Sequence, residues 1–209
     1  VNLKVNKMPP VHIVERYLQT AAELGVKDDG KGLDFFIAQK DEVEIKEKFP
    51  MQFHSAYNAL VLGGSYFTKQ IPTKKLTEII EKSTLPLILL GGKEDSTTGE
   101  ALQKKFPDKV YNAAGKFSLL QSASIIKQSS KVISSDTGLM HIAAAYGKTI
   151  ISLWGNTVPE FGMYPYKPGP GSKMLEVKNL SCRPCSKLGY KKCPKGHFKC
   201  MNEITIEQI

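Results

Sequence analysis

Between Ala59 and Trp154, short apolar runs alternate with amphipathic stretches, and this alternation constrains the chain more than any other feature. The runs are Ala59–Leu62, Leu85–Leu90, Val110–Ala113, Val132–Ser134 and Ile150–Trp154, each of strand length. Between them lie Pro72–Lys82, Ser96–Phe106 and Ser118–Gln128, with apolar residues at helical spacing, and a further helix after Gly138. Pro72 suits a first helical turn, and Ser96 and Ser118 suit N-caps. Strands and helices in alternation imply a parallel sheet with right-handed crossovers. The expected fold class is α/β, a Rossmann-like doubly wound parallel sheet.

One junction in the pattern carries chemistry. The segment Ser134-Ser135-Asp136-Thr137-Gly138-Leu139-Met140-His141 leaves a strand and opens a helix. Open parallel sheets place ligands at such carboxyl ends. Asp136 and Thr137 suit helix caps, and Gly138 lets a ligand approach the backbone closely. The helix N-terminus then offers unpaired N–H groups and a positive dipole to an anion, typically phosphate. His141 lies four residues after Thr137 and shares its side of the first turn. The plainer alternatives are a pure cap for Asp136 and a core histidine for His141.

Gly63-Gly64-Ser65-Tyr66-Phe67-Thr68-Lys69 leaves the first strand, and a Gly-rich turn ending in one Lys suits a diphosphate. Ser65 and Lys69 are its candidate ligand-binding residues, against the alternative of a plain turn with a solvated Lys. In Gly91-Gly92-Lys93-Glu94-Asp95, Glu94 is preferred over Asp95 as an acceptor for ribose hydroxyls. Phe117 is the candidate stack for adenine. A solvated turn and a core aromatic carry equal weight for these two residues.

The Asp136–Ala145 segment followed by Trp154-Gly155-Asn156-Thr157 resembles the donor-site signature of glycosyltransferase family nine, the ADP-heptose:lipopolysaccharide heptosyltransferases. The resemblance extends to Gly63-Gly64-Ser65, Lys69-Gln70-Ile71-Pro72, Leu90-Gly91-Gly92, His12–Leu18 and the Cys182–Cys200 cluster. Ile71 stands where the family pattern has Trp. The resemblance implies the C-terminal domain of a GT-B glycosyltransferase. Residues 1–54 are then the end of an N-terminal domain and a linker, 55–180 the nucleotide-sugar domain, and 181–209 a Cys-rich basic segment with the start of a C-terminal helix. It also implies donor contacts from Ser65, Lys69, Asp136, Thr137, Gly138 and His141, with Asp136 on hydroxyls of the sugar. The implied catalytic base belongs to the N-terminal domain, so no catalytic residue is assigned in this chain. No cofactor is required by that scheme. A lipopolysaccharide-type glycolipid is the implied acceptor, and a non-catalytic nucleotide or nucleotide-sugar binding module is the alternative function.

Cys182, Cys185, Cys193 and Cys200, with His197 among them, have spacing that suits a structural zinc, while thiols and disulfides stay open. The formal net charge of +9, from 29 Lys and Arg against 20 Asp and Glu, suits anionic partners, with a plain solvated basic surface as the equal alternative. Nucleotide phosphates, an acidic glycolipid and peripheral contact with an anionic membrane all fit. Nucleic acid is not an expected partner, because no recognition-helix or RNA-binding aromatic motif accompanies the charge. The expected location is cytoplasmic, peripheral at the inner face of a bacterial inner membrane.

Overall fold

The structure, a computed structural model, describes residues 9–206. In chain order, α1 is Ile13–Thr20, α2 Ile45–Lys48, β1 Asn58–Val61, α3 Thr73–Lys82, β2 Leu87–Leu90 and α4 Ser96–Lys105. Then follow β3 Val110–Asn112, α5 Leu119–Gln128, β4 Lys131–Ser135, α6 Gly138–Ala145, β5 Thr149–Trp154, β6 Lys173–Glu176 and α7 Lys199–Asn202. The strands form one sheet in the order β3-β2-β1-β4-β5-β6, and every pairing is parallel. Strand order reverses between β1 and β4, so their carboxyl ends flank a topological switch point.

Period-two alternation divides each central strand between two cores. Leu60, Leu87, Leu89, Ile133, Ile151 and Leu153 pack against Leu76, Ile79 and Ile80 of α3, Leu102 of α4 and Met201 of α7. Ala59, Val61, Ile88, Leu90, Val132, Ile150 and Trp154 face the opposite way, onto Ile125 and Ile126 of α5 and Met140, Ala143 and Ala144 of α6. Burial on both faces explains why the strands read as continuous apolar runs. Each fully buried Leu or Ile contributes about 1.5–3 kcal/mol of transfer free energy.

Neighbouring segments join the same cores. Val43, Ile45, Phe49 and Phe53 pack into the α5/α6 side, while Phe198, Cys200, Met201, Ile204 and Ile206 pack into the α3/α4 side. Helix α1 is tied to the loop after β5: Ile13 N donates to Gly162 O, and Arg16 donates to Phe161 O.

Several local expectations change. Ser118 caps α5 in a reciprocal box with Gln121, as its sequence suggests. Pro72 is the N-cap of α3 rather than part of its first turn, and Ser96 is the first residue of α4 without a capping bond. Strand β6 was not legible in the sequence. It lies at the sheet edge with Lys173 and Met174 exposed, so no apolar run marks it.

Candidate functional site

The switch point assembles two loops distant in sequence. The chain leaves β1 through Gly63 and Gly64, passes exposed Ser65, and makes one 3-10 turn at Phe67–Lys69 before α3. The chain leaves β4 at Ser135 and enters α6 through Asp136 and Thr137. Lys69 Nζ lies 2.6 Å from Asp136 Oδ2, with the two side chains 15% and 9% exposed. Thr157, just beyond β5, donates its hydroxyl to the same Oδ2 at 3.0 Å. Three strand ends thus converge on one carboxylate.

Thr137, not Asp136, caps α6: its Oγ1 accepts from Met140 N at 3.4 Å. Ser134 Oγ already donates to Ser135 O, so the 3.0 Å contact between Ser134 and Thr137 has Thr137 as donor. That network leaves Asp136 available for other work. A Cβ built on Gly138 would meet nothing within 4 Å, so the backbone at the start of α6 faces open space. An anion placed there meets unpaired N–H groups and the positive end of the helix dipole.

His141 stands beside this centre. Burial, the largest influence, holds its imidazole below the ordinary histidine range, aided by the positive Lys69 and by His12 and opposed by the Asp136 carboxylate. The ring is therefore neutral at neutral pH and can donate or accept a hydrogen bond without bringing charge. His12 is also buried and depressed by burial. Its Nδ1 accepts from Val14 N, so its Nε2 donates to Tyr164 O at 2.7 Å, which fixes its tautomer.

The nucleoside candidates diverge. Glu94 is exposed, whereas Asp95 is buried, accepts from Gly92 N at 2.8 Å and is pushed up by desolvation. Side chains at Gly63 and Gly91 would collide with the Asp95 carboxylate, which explains both glycines. The ring of Phe117 stacks on Phe49 with centroids 5.7 Å apart.

The Cys-rich segment has a supporting role that its sequence did not announce. Tyr190 N donates to Thr68 Oγ1 at 2.8 Å, and Thr68 N donates to Tyr190 O at 3.2 Å, immediately beside Lys69. Phe198 packs on Phe67 with centroids 5.1 Å apart. Buried Arg183 pairs with Glu176 at 2.7 Å and donates to the carbonyls of Gly155, Thr157 and Val177. It holds the loop that carries Thr157. The four cysteines form no disulfide, and Cys182 Sγ lies 3.9 Å from His197 Nε2. Among the described residues, no three His, Cys, Asp or Glu side chains are placed to share a metal ion. Folding the segment onto the Lys69 turn and the β5 loop packs Cys200, and partly Cys193, against the α3/α4 core.

A sequence profile for glycosyltransferase family 9 (heptosyltransferase) matches residues 1–194. The chain belongs to glycosyltransferase family 9. Within the family, lipooligosaccharide heptosyltransferase 2 of Haemophilus influenzae is 28% identical over 223 residues, covering 99% of this chain and 63% of that protein. The chain therefore spans less than two thirds of that relative's length. A family 9 glycosyl transferase from Veillonella parvula superposes with a TM-score of 0.75 at 20% identity, over 96% of this chain and 58% of that one. The Escherichia coli heptosyltransferase WaaC, solved with ADP, gives a TM-score of 0.61 at 23% identity, over 82% of this chain and 52% of that one. These likenesses establish the parallel α/β fold of the GT-B C-terminal domain for this family 9 chain.

Proposed function

We propose that this chain is the donor-binding half of a glycosyltransferase that moves heptose, or a related sugar, from an ADP-sugar to a lipopolysaccharide core-type acceptor. The observation that carries this reading is the Lys69–Asp136 ion pair, with a buried carboxylate, at the open N-terminus of α6. The diphosphate would lie on Lys69 and the N–H groups from Thr137 and Gly138, with Ser65 and His141 at its margins. Asp136 would accept from hydroxyls of the sugar, since a carboxylate has acceptor capacity beyond one ion pair.

In the transfer, an acceptor hydroxyl attacks the anomeric carbon, the bond from that carbon to the phosphate oxygen breaks, and ADP leaves. Negative charge grows on the departing diphosphate, where Lys69 and the helix N-terminus stabilise it without reorganising. The neutral imidazole of His141 donates a hydrogen bond there at most. The base that takes the acceptor's proton belongs, on this reading, to an N-terminal domain. Exposed Lys187, Lys191, Lys192, Lys195 and Lys199 supply a basic surface suited to an anionic membrane face in the cytoplasm. No described helix is long and apolar enough to cross a membrane.

Calorimetric titration of the chain with ADP, ADP-heptose, UDP and a short DNA duplex tests the ligand class. ADP and ADP-heptose should bind in preference to the others; preference for DNA, or binding of none, overturns the reading. A non-catalytic nucleotide or nucleotide-sugar binding module is the second reading. Transfer to a defined acceptor only after a family N-terminal domain is added distinguishes it from the first.

A further inference from the structure

We propose that the Lys69–Asp136 pair selects by charge, favouring a diphosphate that ends in a neutral, hydroxyl-bearing group over one that ends in a free phosphate. This inference rests on the donor-binding reading and deepens it. Asp136 concentrates its known bonds on one oxygen: Oδ2 takes both the Lys69 ammonium and the Thr157 hydroxyl. Its other oxygen, Oδ1, accepts no hydrogen bond from the described residues. The side chain is only 9% exposed, so solvent screens its negative charge poorly.

An anion drawn to Lys69 and the start of α6 must therefore settle within ion-pair reach of a fixed carboxylate. A diphosphate esterified at both ends carries one charge per phosphate. Removing the terminal ester exposes a phosphate whose second ionisation falls near pH 6, so at neutral pH it carries a charge between about −1.5 and −2. That additional charge would lie against Asp136 and be repelled. A sugar in the same place presents hydroxyl donors to Oδ1 instead. Discrimination of this kind needs a repulsive element as well as an attractive one, and Asp136 serves as both. The ligand disfavoured is the nucleoside diphosphate left after transfer, so the carboxylate that holds the sugar also promotes departure of the product.

The test measures affinities of the chain for ADP, the β-methyl ester of ADP, and ADP-heptose, before and after Asp136→Asn. In the variant, ADP should bind about tenfold tighter while ADP-heptose binds no tighter, so the ratio of the two affinities shifts toward ADP by at least that factor. In the unaltered chain, the methyl ester should bind more tightly than ADP despite its lower charge. This inversion needs no variant, so it decides the matter even where Asp136→Asn fails to fold. ADP binding that weakens or stays unchanged in the variant, or ADP that matches or exceeds its methyl ester in the unaltered chain, overturns charge selection while leaving donor binding intact. Failure of all three ligands to bind the unaltered chain overturns the donor reading and this inference together.

Discussion

Lys69 is held in place within the fold, because its ammonium lies 2.6 Å from Asp136. On the donor-binding reading, a ligand anion gains a pre-positioned charge without ordering a long flexible side chain. Lys69→Ala should therefore weaken ADP by about 1–3 kcal/mol, the range for losing a charged hydrogen-bond partner. Equal calorimetric affinities for the two proteins would remove Lys69 from the site. A second residue-scale expectation concerns Cys200. Its thiol is pushed up to about 11, chiefly by burial, with the other three cysteines adding and Arg183 opposing. At pH 8 it stays protonated, and only the thiolate attacks. Thiol titration of the native chain at that pH should find Cys200 the slowest to react, and mass mapping that finds it modified first would contradict its burial.

The elements that matter most to the site lie on either side of it. The 3-10 turn carrying Lys69 rests on Tyr190 through backbone and hydroxyl bonds of Thr68, while Arg183 ties the ends of β5 and β6 together. Arg183→Met removes a guanidinium that is 6% exposed and strands Glu176, itself 15% exposed. Breaking a buried pair in this way costs about 3–5 kcal/mol. Chemical denaturation should show that loss, and ADP affinity should fall with it because Thr157 loses the bond that holds its carbonyl. Unchanged denaturation midpoints would show that the β5–β6 loop holds its shape without Arg183.

Across the whole molecule, stability should depend on pH through two histidines. Burial depresses both His12 and His141 from the ordinary value of 6.5. The unfolded chain then binds more protons than the folded one as pH falls below that value, so stability present above pH 6.5 is lost on acidification. Thermal unfolding should be nearly level between pH 7 and 8 and should move to lower temperature toward pH 5.5, with a smaller drop for His141→Gln. A chain that grows more stable over that interval would place at least one of these rings in a charged, paired state.

The sequence by itself determined the first five strands and the two loops of the candidate site, because short-range rules govern them. Continuous apolar runs mark strands buried on both faces, and glycines or capping hydroxyls at strand ends mark the turns. Ser118 and Thr137 were legible as caps for that reason. Strand β6 was not, because an exposed edge strand lacks the apolar signal that burial imposes. The sequence pointed to Lys69 and Asp136 on one ligand, but not to their direct pairing or the bond from Thr157, since each contact crosses a strand boundary. The tertiary structure alone decided that the cysteine-rich segment supports the Lys69 turn. Phe198, Cys200 and Met201 enter the apolar layer against α3 and α4, a placement that their local spacing does not reveal.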